Sequence, residues 1–407
     1  MPMQPFNEQK LSSLSPPVLN VLAKVSPERD FHRGGLAQAV VTLSRLFTTE
    51  RATLSQHYLD DPAHASAYLS YFLPVNLSKV QVLLAELAEN NGLETSDRPM
   101  AVLDLGCGPG TGSLALLDWF WHRKPEQARA LSVLASDVSS APLQDATKLW
   151  EAYCREVGIA STGLRSVQGN LEHPLKGELG KQIVRGGPYD LMIMANCLNE
   201  LCPSSVDPPM ERAAVIEQLL PFLALHGTIM IIEPALRQTA RGLHQVRNYL
   251  LKKGLCTVYS PCLHEGGCPA LDNPDDWCHE ERPWQTPPTI AALDREVGFI
   301  KDALKFSYLL LRTDGRTIAT RSPQTFRVVS ELRELKGEKR AWLCNETGRP
   351  EVGRLDRKAS PYNEALDSWH RGDIVQIERI VRKEKEGKVS PVGRIERDVA
   401  VEIIRHA

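Results

Sequence analysis

The chain has 407 residues, 42% of them hydrophobic and 24% charged, with a net charge of −2. This is an ordinary soluble composition with room for two or three domains. No apolar run approaches the ~18 residues of a membrane helix, and the nine cysteines, an odd number, argue against a fully paired disulfide framework. Charge is uneven: residues 301–407 carry +6 and residues 1–300 carry −8. The start, MPMQPFNEQKLSSLSP, lacks the charged and apolar regions of a signal peptide, and its first arginine is Arg29, which makes a poor transit peptide. A cytoplasmic protein with no membrane partner is expected.

Residues 1–98 read as helical. Apolar spacings near three and four predict helices over Ala63–Leu73 and Leu77–Leu87, separated at Pro74. Asn90–Arg98 is a polar linker. Strands and helices then alternate. Strands are expected at Ala101–Leu105, Leu131–Ser136, Leu164–Gln168, Tyr189–Ala195 and Thr228–Ile232. Helices are expected at Ser113–His122, Ala141–Val157 (capped by Ser140 and stopped by Gly158), Glu211–Leu220 and Ala240–Lys253. Thr257–Ser260 and Phe306–Arg312 supply two last strands, with a cysteine-rich insertion at 256–284 between them. The expected fold is α/β, a doubly wound, mostly parallel Rossmann-like sheet over 99–320 behind an N-terminal helical cap (1–98). A small, basic, β-rich module follows at 321–407. Its clearest strands are Asp373–Val381 and Val399–Ile404, and KEKEGK at 383–388 reads as a solvated hairpin tip.

VLDLGCGPGTG (Val102–Gly112) joins a strand to a helix. Gly106, Gly108 and Gly110 let the backbone turn sharply and approach a ligand, and the helix N-terminus supplies N–H donors. A dinucleotide loop is the competing reading. With Asp104 before the glycines, however, D-x-G-x-G-x-G resembles motif I of class I S-adenosylmethionine-dependent methyltransferases, where this acid orients the loop and the cofactor's amino-acid part. Asp137 ends the next strand and suits ribose hydroxyls. Asn170 follows the third strand and suits the adenine edge. In ANCLNEL, Asn196, Asn199 and Glu200 stand at the carboxyl edge of the sheet as weak catalytic candidates. The N/D-P-P-Y/F motif of base-methylating enzymes is absent, and Cys197 lacks the Pro-Cys setting of a nucleophilic cysteine, so it reads as a packed residue.

Cys256, Cys262, Cys268 and Cys278 lie in a Pro- and Gly-containing stretch, with Cys344 far downstream. Three clustered thiols in a loop are poor packing choices and good ligands for zinc or an iron–sulfur cluster. The C-x2-C zinc knuckle and the C-x3-C-x2-C radical pattern are both absent. Cys344 as the fourth ligand would staple the C-terminal module to the sheet. Cys256 is the alternate ligand, and His264 and His279 compete.

Together these segments resemble the ribosomal small-subunit methyltransferase-like proteins, known from mitochondria and with bacterial relatives. The resemblance spans roughly 40–405. It rests on VLDLGCGPGTG, YDLMIMANCLNEL, IIEPALRQTARGLHQVRNYLL, SPCLHEGGCP with DWC, AWLCNETG and SWHRGD. It implies a [4Fe–4S] cluster on Cys262, Cys268, Cys278 and Cys344, and association with the small ribosomal subunit and its rRNA near the head during assembly. The expected protein binds S-adenosylmethionine, is monomeric off the ribosome, and works in the cytoplasm, or in the mitochondrial matrix if eukaryotic. Three readings stand: an rRNA methyltransferase, a non-catalytic small-subunit assembly factor, and a small-molecule methyltransferase with a structural zinc.

Overall fold

The computed structural model describes residues 13–25, 33–89, 92–93, 98–160, 163–382, 384–385 and 388–407. Most of the linker at 90–98 and half of the tip at 383–388 lie outside the described residues. The N-terminal helices are α1 (Pro16–Val25), α2 (Arg33–Phe47), α3 (Pro62–Ala67) and α4 (Leu73–Glu89).

The expected break at Pro74 is corrected. α3 and α4 form one rod, joined by a π-helical turn at Tyr68–Phe72 in which the Leu73 N–H reaches the Tyr68 carbonyl, one residue further back than in an α-helix. A proline lacks an N–H and crowds the carbonyl four residues earlier. The wider turn just before Pro74 relieves both demands without ending the helix.

The central region runs β1 (Ala101–Leu105), α5 (Thr111–Arg123), α6 (Pro125–Arg129), β2 (Ser132–Asp137), α7 (Ser140–Val157), β3 (Leu164–Gln168), α8 (Gly177–Gly186), β4 (Tyr189–Ala195), α9 (Pro208–Leu219), β5 (Leu223–Pro234) and α10 (Arg237–Lys252). It ends with β6 (Thr257–Ser260), β7 (Glu280–Pro283), α11 (Pro288–Val297) and β8 (Ala303–Arg312). The sheet order is β3-β2-β1-β4-β5-β8-β6. β1 to β5 are parallel, and β8 runs antiparallel between β5 and β6. β7 shares the outer edge of β8 with β6, so the cysteine stretch leaves and rejoins one sheet edge.

β1 and β4 are apolar on both faces because helices cover both. One face packs against α1, α2, α4, α5 and α7 in a single core that extends from Leu14 to Ile374. The helical region therefore shares its core with the sheet. α8, α9 and α10 cover the other face. Ser139, not the expected Ser140, holds the cap position of α7, and Gly158 ends that helix in the left-handed conformation. α8 had no counterpart in the sequence reading.

The C-terminal module has its own core around Phe326, Leu343, Trp369 and Val375. Its strands are β9 (Thr325–Val328), β10 (Arg333–Leu335), β11 (Glu338–Cys344), β12 (Glu351–Leu355), β13 (Ile374–Ile377), β14 (Glu384–Lys385), β15 (Lys388–Val389), β16 (Val392–Arg394) and β17 (Val401–Arg405). Many of its basic side chains pair with acids of the same module, which leaves the net positive balance as it is. Arg333 and Arg340 pair with Glu351, Arg394 with Glu338, Lys358 with Glu396, and Arg379 with Asp398. No helix among the described residues is long and apolar enough to cross a membrane.

Candidate functional site

The crevice lies at the carboxyl ends of β1, β2 and β4, where this sheet reverses its winding. Gly106 and Gly108 take φ values of +63° and +51°. At Gly106 a side chain has no room, because a Cβ there would stand 2.5 Å from the Cys197 Cβ. Asp104 is 1% exposed and does not line the cavity. It accepts from the Ser113 N–H at 2.8 Å and from its hydroxyl at 2.6 Å, pinning the first turn of α5 behind the loop. Burial pushes Asp104 up to about 6 despite those bonds.

Asp137 accepts from the Gly108 N–H at 2.9 Å and the Ser139 N–H at 3.0 Å. Burial raises its carboxyl, and the two N–H groups oppose the rise. Gly106, Gly108, Asp137 and Asn170 line one cavity of about 700 Å3, counting space open to solvent. Gly110 does not line it; that glycine caps α5 in the left-handed conformation.

The opposite wall was not foreseen. Gln56, Tyr58, Leu59 and Tyr68 come from the helical region and close over the glycine loop. Asp60 accepts from the Ser139 hydroxyl and ties this wall to the start of α7. No motif marks these residues. The available signal was the cluster of aromatic residues between two helices, which needed something to cover.

Asn196 and Glu200 line the same cavity. Asn196 adopts φ +64°, rare for a residue with a side chain, and its buried Nδ2 has no partner among the described residues. Asn199 turns away: its Nδ2 donates to the Asn196 carbonyl at 3.1 Å, and its N–H donates to Glu233 Oε1 at 3.1 Å. Glu233, at the end of β5, was missed by the sequence reading. It is 1% exposed, and its Oε2 has no partner among the described residues. Burial pushes Glu233 up to about 7. Burial also pushes Glu200 up to about 8, with Arg51 pulling the other way and the Glu233 and Asp137 charges adding to the rise. The cavity thus offers Glu200, pushed up to about 8, beside the unpaired Asn196 amide, with Glu233 buried behind them.

A pH dependence follows. Both glutamates stand above their ordinary 4.5, so the folded chain keeps protons that the unfolded chain releases. Their contribution is present at low pH and declines as pH rises from about 4.5 to about 8. Glu200→Gln is expected to flatten part of that decline, read as urea midpoints at about pH 6 and about pH 8.5. Equal pH slopes in the two proteins would remove Glu200 from this electrostatic group.

The other cluster is sulfur. All nine cysteines are free thiols. Cys262, Cys268 and Cys278 stand on the loop between β6 and β7, and Cys344 ends β11. Burial and then the Cys262 charge push Cys268 up to about 11; burial followed by neighbouring thiols also raises Cys278 and Cys344. The four thiols are therefore electrostatic neighbours. Among the described residues, however, no three His, Cys, Asp or Glu groups are drawn together tightly enough to hold a metal as they stand. Cys256 belongs instead to the core against α10. His264 Nε2 lies 3.9 Å from Cys344 Sγ, while His279 stacks on Trp277 and bonds Glu281. Thiols are the donor type that zinc and iron–sulfur clusters take, and the raised values of Cys268, Cys278 and Cys344 mean that these stand protonated until a cation displaces the protons. The buried Nε of Arg247, whose charge acts on Cys268 and Cys344, also lacks a partner among the described residues.

The strand order, with the reversed β8 beside β5, and a glycine loop facing an acid across β1 and β2, define a class I methyltransferase fold. Residues 62–372 match the model of the family described as mitochondrial small ribosomal subunit Rsm22. The match covers well over half of the chain, and the chain belongs to this family. No curated protein matches it. Among solved structures it is similar to the CcbJ methyltransferase from Streptomyces caelestis, at 20% identity and a TM-score of 0.28 over 41% of this chain and 56% of that one. It is also similar to the glycopeptide N-methyltransferase MtfA complexed with S-adenosyl-L-homocysteine, at 17% identity and 0.26 over 38% and 47%. Magnesium protoporphyrin IX methyltransferase from Synechocystis, with bound S-adenosylmethionine, gives 15% identity and 0.34 over 68% and 97%. The chain thus spans about half the length of the first two of these.

Proposed function

We propose that the chain binds S-adenosylmethionine in the crevice beneath Tyr58 and Leu59 and acts on the small ribosomal subunit, methylating an rRNA nucleotide. The observation that carries this reading is the joining of two half-sites in one cavity. Gly108 and Asp137 offer a nucleoside cradle, and Asn196 with Glu200 offers polar groups to a second molecule. Asp137 would hold the ribose hydroxyls. Gly108 would leave room for the cofactor, Gly106 lets the loop pack against Cys197 beside it, and Asn170 would meet the base. When bound, the cofactor supplies an electrophilic methyl group. The chain's own work is positioning and desolvation: the Tyr58 wall excludes water, and Asn196 and Glu200 hold the acceptor. The C-terminal module, with its positive balance and its exposed Trp342 and Tyr362, would rest on RNA. The compartment follows the ribosome: the mitochondrial matrix in a eukaryote, the cytoplasm in a bacterium.

The thiol cluster supports a second element of the reading, a [4Fe–4S] cluster, or alternatively zinc, on Cys262, Cys268, Cys278 and Cys344. The module already docks on the loop through Arg349–Asp276 and Arg321–Glu265. Cys344→Ala is expected to lose the metal and to open the module to protease. Iron and zinc analysis beside a trypsin time course checks this. Full metal content with unchanged digestion would remove Cys344 from the ligand set.

The deciding experiment maps methylation of small-subunit RNA by mass spectrometry. The strains are the native host, a deletion, and the deletion carrying folded Gly108→Arg. A methyl group absent from both mutants and restored by the wild-type chain supports an enzyme. An unchanged map with immature subunits in the deletion supports an assembly factor that uses this fold without transferring a methyl group.

A further inference from the structure

α10 presents Arg241, His244, Arg247 and Asn248 within about 120° of its circumference. Its other side, with Leu243, Val246 and Leu250, enters the sheet core. All four polar side chains engage the cysteine loop. Arg241 donates to the carbonyls of Ala270, Leu271, Asn273 and Asp276 at 2.7–3.2 Å. Arg247 is 0% exposed and donates to the carbonyls of His264 and Gly266 at 2.6 and 2.7 Å. Asn248 Oδ1 accepts from Arg247 at 2.8 Å and from the Cys268 N–H at 3.2 Å. His244 Nε2 lies 3.2 Å from the Cys278 carbonyl.

These contacts fall between and upon the ligand cysteines. Buried carbonyls need donors, and a loop with little regular structure cannot supply them itself. A guanidinium provides several N–H groups in a rigid fork. Much of the loop's backbone is thereby satisfied by a helix of the sheet.

We infer that α10 is a template that shapes the Cys262–Cys278 loop before metal binds, with Arg241 and Arg247 as positioning residues for the thiols. The inference rests on the metal reading only for its purpose; the template itself is carried by the hydrogen bonds from α10 to the loop. It departs from sites that gain their structure only with the ion. It also distinguishes geometry from charge: Arg241→Lys keeps the cation but cannot span four carbonyls.

The test begins with full-length protein stripped of metal by chelator, read by amide hydrogen exchange. Peptides covering 262–278 are expected to be protected in the wild type. Arg241→Ala and Arg241→Lys should both exchange about tenfold faster or more there, as expected for loss of charged hydrogen bonds, with β1 and α5 unchanged. Arg241 is partly exposed and its helix keeps its core face, so this variant avoids the folding risk of replacing Arg247. Both proteins are then loaded with ferrous iron and sulfide, or with zinc alone, and challenged with chelator; the variants should release metal about tenfold faster. A wild-type loop that exchanges freely without metal, or equal protection in wild type and variants, overturns the template. Failure of the wild type to take up either metal would defeat the metal reading, while the exchange pattern would still decide the template.

Discussion

Arg327→Met is expected to destabilise the protein by about 3–5 kcal/mol, the usual consequence of leaving a buried acid without its partner. Arg327 lies on β9 and is 3% exposed. Its guanidinium is 3.3 Å from Glu280 on β7, 3.7 Å from Glu86 on α4, and 2.9 Å from the Tyr308 hydroxyl on β8. Arg282 bonds Glu280 at 2.5 Å, and Arg405 of β17 stands 4.0 Å from Glu86. Helical region, sheet and module thus meet in one buried ionic group. Methionine would fill the volume and leave Glu280 and Glu86 short of positive charge. Urea midpoints and proteolysis of the module read the effect. A loss under about 1 kcal/mol, typical of exposed pairs, would show that the group is not buried in solution. Adding Glu280→Gln to Arg327→Met should recover part of the loss, since the two changes share one interaction. Acid should act through the same group. Burial opposes the Glu86 charge, yet Arg327, Arg405 and Arg282 together draw its carboxyl below the ordinary 4.5. Its contribution is present above that value and is lost as pH falls through the lower, folded one.

Gly108→Arg is expected to abolish cofactor binding, a drop of at least about 100-fold in affinity, at a stability cost of only about 1–2 kcal/mol for a left-handed residue with a side chain. The nearest atom to a Cβ at Gly108 is Leu59 Cδ1 at 3.6 Å, so the added side chain has space, and that space is the cavity. Two positions earlier the balance reverses. A Cβ at Gly106 meets Cys197 at 2.5 and 2.7 Å, and Gly106→Ala should unsettle the fold before it blocks the ligand. Calorimetric titration with S-adenosylmethionine, beside thermal melts of both variants, separates the two effects. Unaltered binding by Gly108→Arg would place the cofactor elsewhere.

The elements that sequence reading located well were those with local signals. VLDLGCGPGTG carries its strand, turn and helix in eleven adjacent residues, and β6 and β8 were visible as apolar runs on either side of the cysteine stretch. What it missed depends on contacts distant in sequence. Tyr58 and Leu59 acquire meaning only when the helical region folds over a loop 50 residues later. Glu233 reads as a strand-end acid until the backbone turns Asn199 onto it. Pro74 signalled a break because proline rules assume α-helical hydrogen bonding, and the π turn withdraws that assumption. The basic balance of residues 301–407 was legible as a sum, but which of its basic side chains are held in ion pairs was not.

β8 lies between β5 and β6 although it is made after both. On a translating ribosome, at roughly 5–20 residues per second, about 3–10 s pass between the synthesis of Ser260 and that of Arg312. Throughout that interval β6 has no neighbour to join, and the thiols of Cys262, Cys268 and Cys278 emerge beside a gap in the sheet. Ser307, which donates to the Cys278 carbonyl at 2.7 Å, does not yet exist. The nascent chain therefore carries three thiols beside an incomplete sheet before the strand that packs against them, and before Cys344, has been translated.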